Sequence, residues 1–238
     1  MDNISYSATD VQNIFNNIAP VYDELNTLLS MGQHKIWKQM AVKWSEPSLG
    51  NLGLDVCCGS GDLTKLLARK IGKTGKVIGV DFSKELLTIA SQRNHKYYPS
   101  LSVEWMLGDA LNLPFEDNTF DCVTMGYGLR NIIDIPRCLR ELHRILKPCS
   151  KVAILDFQRP SNAWQQIFQK LYLDSFVVPV AKHFKLEKEY SYIMPSLEKF
   201  PSGKKQVKLA LEAGFDTSVY YSIAGGMMGV LVGTKKYL

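Results

Sequence analysis

Between Leu52 and Phe157, short apolar runs alternate with stretches of helical periodicity, and no other feature of the chain limits its fold so tightly. "LGLDVCC" reads as a buried strand that stops at glycines, and "GDLTKLLARKI" follows with its apolar residues at helical spacing. "KVIGVDFS" returns to a strand. "SKELLTIASQRN" is then a helix, with Ser83 as N-cap and Leu86, Leu87, Ile89 and Ala90 on its apolar face. "LSVEWMLGDA" and "FDCVTMGYGL" read as third and fourth strands, "PRCLRELHRIL" as a helix and "KVAILDFQRP" as a fifth strand. Such alternation predicts a parallel sheet with helices on both faces, because parallel neighbours need crossover connections.

The flanks break this rhythm. Val11, Ile14, Phe15 and Ile18 recur at helical spacing until Pro20, so residues 1–46 are expected to form a helical cap. An aromatic-rich helix or helix pair is expected as an insertion over residues 160–200. "GKKQVKLALEAGF" is a helix ended by Gly214, and the last segment reads as two strands around Gly225–Gly226, a hairpin. With no linker or repeat, residues 1–238 are expected to be one α/β domain. Its sheet is Rossmann-like, mostly parallel, with an antiparallel C-terminal hairpin.

Composition narrows the function classes. No apolar run approaches the roughly 20 residues of a membrane-spanning helix, and the N-terminus lacks the pattern of a signal peptide. The net charge is +5, and lysines concentrate in "AKHFKLEKEY" and "EKFPSGKKQVK" with acids interspersed, either a solvated helical face or a weak attraction to an anionic membrane surface. Basic and aromatic residues do not interleave as nucleic-acid binding would need. The five cysteines are odd in number and contain no C-x-x-C pair. Adjacent Cys57 and Cys58 would point to opposite faces of a strand, so they suit packing in a reducing compartment better than joint metal ligation. No metal is expected.

The loop Gly59-Ser60-Gly61 joins the first strand to its helix, where doubly wound sheets bind ligands. A dinucleotide fingerprint would place a third glycine where this chain has Thr64, and a Walker Gly-Lys-Ser/Thr is missing, so a pyrophosphate cradle is disfavoured. Asp55 precedes the loop and can receive a charged amine or order the loop. Asp81 ends the second strand, where a carboxylate can take both ribose hydroxyls. Asp109 can take an adenine amino group, with the Ala110 amide near a ring nitrogen, or can cap a turn. Phe82 and Gly126 complete the candidate cofactor set. A ribose and an amine without phosphate describe S-adenosylmethionine (SAM), whose sulfonium suits three carboxylates.

"LDVCCGSGDLT", "GVDFSKELL", "GDALNLPFEDNTFDCVTMGYGLRNI" and "RILKPCSKVAILDF" resemble the motif series of class I SAM-dependent methyltransferases. "APVYDELNTLLSMGQHKIWK" and "YGLRN" resemble the two signatures of the ubiquinone/menaquinone biosynthesis C-methyltransferase family, a likeness that runs from Phe15 to the end. "DVCCGSGDL", "TMGYGLRN", "ILDF", "VVPVA" and "GGMMGVLV" are most similar to its demethylphylloquinone branch from plants and cyanobacteria. The resemblance implies methylation of a phytyl naphthoquinol to phylloquinone. It allows a homodimer and peripheral membrane contact, in a cyanobacterial cytoplasm or at a plastid stroma or thylakoid surface.

Methyl transfer to a ring carbon needs the ring as its quinolate. Arg130, just past the fourth strand, stays protonated, so it suits stabilising the quinolate oxygen or activating a water. The plainer alternative is a salt bridge to Asp134, four residues on. The resemblance implies that Asn131 hydrogen-bonds the second ring oxygen and that Tyr22 faces the quinone, though Tyr22 also reads as a packed aromatic. His34 is the one histidine to test as a base, and Asp156 reads as a turn cap. Other readings keep SAM but change the acceptor to a demethylmenaquinone or ubiquinone precursor, replace SAM with NAD in a reductase, or make the chain a SAM-binding regulator or scaffold.

Overall fold

The computed structural model describes residues 8–19, 24, 27–28, 30–158, 167, 171, 175, 179 and 193–236. Seven strands form one sheet in the order β3-β2-β1-β4-β5-β7-β6. In chain order they are β1 Leu52–Val56, β2 Lys76–Asp81, β3 Val103–Leu107, β4 Phe120–Gly126, β5 Leu146–Phe157, β6 Thr217–Ile223 and β7 Met228–Thr234. The first five pair in parallel, and β7 runs antiparallel to both β5 and β6. The helices considered below are α1 Ala8–Ile18, α2 His34–Trp44, α3 Asp62–Ile71, α4 Lys84–Tyr97, α5 Ile135–Ile145, α6 Ile193–Lys199 and α7 Gly203–Glu212. This is the mostly parallel sheet with a C-terminal hairpin that the alternation predicts, and the hairpin turns at Ala224–Gly226.

Alternation within the strands builds a core on each face. Leu54, Val56, Val123, Met125, Val152 and Ile154 pack under α5 and α7, with Leu139, Leu142 and Ala210. Cys122, Ala153, Leu155 and Val230 meet α2 and α3 on the other side, through Ala41, Val42, Leu63 and Leu67. Burying both faces explains why the central strands read as near-continuous apolar runs.

Two boundaries differ from the sequence-based reading. The fourth strand stops at Gly126, because Tyr127 takes φ of 60° and leads into a 3-10 turn, Leu129–Asn131. The fifth begins five residues earlier than "KVAILDFQRP", at Leu146, and keeps its pairing through a register shift opposite Phe120 and Cys122. The expected insertion falls outside the described residues from 159 to 192, apart from four isolated positions. Its end is α6, which packs on the 3-10 turn.

Strand order reverses between β1 and β4, which opens a crevice at the carboxyl ends of the strands. Part of the expected cap covers it. Gln12 of α1 donates to the Phe82 carbonyl at 2.6 Å, and the Ser83 hydroxyl donates to Asn16 Oδ1 at 2.6 Å. Ser83 also caps α4, as expected, by accepting from the Leu86 amide.

Candidate functional site

At that crevice lies a cavity of about 440 Å³. Its walls include Cys57 and Gly59 after β1, Asp81 and Phe82 after β2, Asp109 and Ala110 after β3, Gly126 and Tyr127 at β4, and Val11 and Gln12 of the cap. The loop after β1 turns through positive φ at Cys57, Gly59 and Gly61, at 55°, 54° and 86°. Gly61 has a second constraint: a Cβ there would sit 2.5 Å from the Trp105 ring. Glycine at this position is therefore set by backbone and packing together.

Asp81 fastens the loop from across the crevice. Its Oδ2 accepts the Gly59 amide at 2.8 Å and its Oδ1 the Ser83 amide at 2.9 Å. Burial pushes its pKa up, against these amides. Each carboxylate oxygen keeps acceptor capacity, and the group lines the cavity.

Asp109 caps a turn, as one of its two expected readings has it, and also reaches the cavity. Its Oδ1 accepts the Leu111 amide at 2.9 Å as a turn cap, and the residue lines the cavity beside Ala110. The loop that follows is tied down by α5. Arg144 donates to the carbonyls of Leu113 and Phe115 at 3.0 and 2.7 Å, and Glu141 accepts the Leu113 amide at 2.9 Å.

Asp55 is placed differently. It is fully buried beneath the loop and does not line the cavity. Thr64 and Thr124 donate to its two oxygens at 2.6 and 2.9 Å. Of the two expected roles, loop ordering fits this placement and amine capture does not. Ser60 and Gly61 also lie outside the lining residues and shape the turn. Burial raises the Asp55 pKa to about 7, against the two hydroxyls and Lys38. A carboxyl whose folded pKa lies above its unfolded value binds more protons in the native state. Its contribution to stability is therefore largest in acid and is lost as pH rises towards about 7. Asp55→Asn is expected to flatten the pH dependence of Tm between the ordinary aspartate range and neutrality, with each kcal/mol worth about 2–4 °C in a chain of this size. An unchanged pH slope of Tm would count against this assignment.

The outer side of the loop is held by charge. Asp62, at the start of α3, pairs with Lys38 at 2.9 Å and with Lys65 and Arg93 at 3.2 Å each. Burial opposes its ionisation, but the three cations hold its pKa well below the usual carboxylate range. Arg93 also donates to the Ser60 carbonyl at 3.1 Å. Lys38 belongs to α2, so the cap is latched to the first turn after the glycine loop.

The two cysteines lie just past β1 rather than within it. Cys58 is buried, and its sulfur lies 3.1 Å from where a Cβ on Gly79 would stand. Cys57 lines the cavity beside Gly128. Burial, reinforced by the carboxylates, pushes both thiols well above their ordinary pKa. Neither is therefore a ready thiolate. Among the described residues no group of histidine, cysteine and carboxylate side chains is arranged to hold a metal.

A second cavity of about 500 Å³ lies next to the first, sharing Val11, Asn131, Ile132 and Ile133 as a wall. Arg130, Ser196, Lys199 and Lys205 are among its lining residues. Arg130 does not pair with Asp134, which caps α5 by accepting the Arg137 amide. Its Nε instead lies 3.3 Å from Asp156 Oδ1 in a buried pair, because the 3-10 turn points the side chain back at the end of β5. Asp156 is thus a buried counter-ion as well as a backbone acceptor. Asn131 donates to the Tyr127 carbonyl and accepts from Arg130 Nη1, both at 3.0 Å, so its amide is engaged inside the turn. His34 lines neither cavity; its Nδ1 lies 2.7 Å from the Ser30 hydroxyl. Tyr22 lies outside the described residues.

The sequence reading passed over Lys38, Thr124, Val11, Gln12 and Tyr127 as site residues. Thr64 did leave a signal, as a hydroxyl residue standing where a dinucleotide loop has glycine. The first cavity's chemistry suits SAM. Among the described residues its lining carries the carboxylates of Asp81 and Asp109 and no lysine or arginine. A pyrophosphate would meet repulsion there, whereas ribose hydroxyls and a sulfonium would be welcomed.

Comparison with known proteins agrees. Residues 3–235 match the ubiE/COQ5 methyltransferase family. The chain is 61% identical to a 2-phytyl-1,4-naphtoquinone methyltransferase of Nostoc punctiforme, over 95% of this chain and 98% of that one. It is 50% identical to the chloroplastic 2-phytyl-1,4-beta-naphthoquinone methyltransferase of Arabidopsis thaliana, over 93% and 86%. In fold it is similar to a SAM-dependent methyltransferase from Aquifex aeolicus, with a TM-score of 0.65, 19% identity, and 89% and 96% of the two chains covered.

Proposed function

The chain belongs to the ubiE/COQ5 methyltransferase family, and we propose that it methylates the ring of 2-phytyl-1,4-naphthoquinol, the last step towards phylloquinone. It is a SAM-dependent methyltransferase. The observation that carries the acceptor reading is the pair of adjoining cavities. Among the described residues one is lined by carboxylates and no lysine or arginine, and the other by Arg130, with Asn131 lining both.

Bound in the first cavity, SAM supplies an electrophilic methyl group. Asp81 holds the ribose hydroxyls, Asp109 and Ala110 meet the adenine, and the Gly59–Gly61 loop faces the methionine end. In the second cavity the Arg130 guanidinium stabilises the quinolate oxygen, which makes the neighbouring ring carbon nucleophilic. That carbon gains the methyl as a new C–C bond while the methyl's bond to sulfur breaks, its electron pair staying on sulfur, so that S-adenosylhomocysteine is the leaving group. The ring carbon's own hydrogen then departs as a proton to water, restoring the aromatic ring. Ile132, Ile133, Ile135 and Leu209 give the ring an aliphatic wall to pack against. Much of the rate comes from holding the two reactants in line.

Incubating the protein with labelled SAM and either reduced demethylphylloquinone or reduced demethylmenaquinone tests this reading. Labelled product is expected with both rings and a higher kcat/KM with the phytyl one. A lack of SAM binding, or of label on either ring, would sink it.

The substrate's tail and the site's surroundings support docking on an anionic membrane. Among the described residues no helix is long and apolar enough to cross one. Lys199, Lys204, Lys205 and Lys208 are exposed on α6 and α7, and Ile133 is 68% exposed in the wall shared by the two cavities. Replacing Lys199, Lys204 and Lys205 with Gln is expected to weaken binding to phosphatidylglycerol vesicles by about 100-fold, at about 1 kcal/mol per lysine. Equal co-flotation of variant and parent would remove this face from consideration. The place of work proposed with it is a membrane surface facing a cyanobacterial cytoplasm or a plastid stroma.

A further inference from the structure

Asp156, near the end of β5, is 3% exposed and lines neither cavity. Its Oδ2 accepts the Arg130 amide at 3.0 Å and its Oδ1 the Phe157 amide at 2.7 Å. The same Oδ1 lies 3.3 Å from Arg130 Nε. The Nε–H is not aligned for a hydrogen bond, and it is buried with no hydrogen-bond partner, so the contact is held by charge. The Phe157 ring lies 5.3 Å from the guanidinium carbon. Nη1 turns the other way, donating to Asn131 Oδ1 at 3.0 Å and to Ser196 Oγ at 3.2 Å in the second cavity.

We propose that Asp156 is a positioning residue, which fixes the Nε edge of Arg130 so that its Nη edge faces the methyl acceptor. The inference rests on the reading of Arg130 as the quinolate's counter-ion. Asp156 is no proton acceptor for the ring, because its oxygens are occupied by backbone amides and it is walled off from both cavities. What it supplies is order. An unrestrained arginine spreads over many rotamers, and that freedom must be lost before the guanidinium can meet a developing oxyanion. Here the backbone of the 3-10 turn and the tip of its arginine are tied to one carboxylate. Other titratable or charged groups around the pair are Tyr220, Cys57, Lys199 and Lys205. All are present in the parent and the variants alike.

The test compares Asp156→Asn with Arg130→Ala for Tm, SAM affinity, KM for reduced demethylphylloquinone, and kcat across the neutral pH range. Asp156→Asn is expected to bind SAM within about threefold of the parent. Its KM should change little, and its kcat should fall about 30-fold at every pH. A purely structural role would lower Tm and leave the kcat of the folded fraction unchanged, which overturns the proposal. So would a gain of turnover on the acid side, because that is what an unscreened Arg130 favouring the quinolate would give. If Asp156→Asn does not fold, Asp156→Glu keeps the charge but shifts the carboxylate by one methylene. Its kcat is expected to fall about tenfold, and full turnover overturns the proposal. Should Arg130→Ala itself stay active, the reading of Arg130 fails. Should Arg130→Ala be inactive while Asp156→Asn is fully active, only the positioning role fails.

Discussion

Asp81→Ala is expected to raise the dissociation constant for SAM by about 100-fold, measured by calorimetry, with less effect on Tm. Two losses add in this variant. The ribose hydroxyls lose a charged acceptor, and hydrogen bonds to charged groups are worth about 1.5–3 kcal/mol each. The Gly59 amide, now anchored at 2.8 Å, is released, so the loop no longer holds its positive-φ path before the ligand arrives. A net loss near 3 kcal/mol corresponds to the 100-fold effect. Because burial raises this carboxyl's pKa, SAM affinity of the parent is expected to fall on acidification sooner than an ordinary aspartate would allow. A dissociation constant for Asp81→Ala within threefold of the parent would remove Asp81 from the cofactor site.

The contrast between Asp81 and Asp55 shows what a sequence can and cannot display. Both are single carboxylates at the ends of apolar strands, and both read as ligand groups for that reason. The end of β2 opens on the crevice, so Asp81 reaches the cavity. The side chain of Asp55 points under the loop, where two threonines were waiting for it. One threonine is local and was visible as the missing third glycine. The other comes from β4, sixty-nine residues away, and only the sheet pairing brings it near. The same limit applies at Arg130. An i,i+4 partner was the natural guess from sequence, but that rule holds on a continuous helix. The backbone around Arg130 is a three-residue 3-10 turn after a positive-φ tyrosine, and it faces the end of β5 instead. The alternation of strands and helices, the C-terminal hairpin and the Ser83 cap were legible because they rest on local period and turn chemistry. Partners across the sheet were not, because they depend on register.

Arg130→Ala is expected to lower kcat by about 1,000-fold while SAM affinity stays within about threefold. Removing a preorganised donor to a developing oxyanion costs about two to three powers of ten, and a charged one belongs at the upper end. The cofactor cavity does not include Arg130, which is why the two constants should separate. The variant carries a second consequence. Asp156 stays buried with its cation gone, and breaking a buried pair in this way costs about 3–5 kcal/mol of stability. Activity must therefore be compared at a temperature where circular dichroism shows both proteins folded. Arg130→Lys separates the two effects. It keeps a positive charge beside Asp156, so most of the stability should return. It lacks the planar fork that reaches Asp156 on one edge and the acceptor cavity on the other, so turnover should not return in proportion. If turnover in Arg130→Lys recovers in step with Tm, then Arg130 matters for the fold of the turn rather than for the quinolate, and the mechanism given for it is wrong.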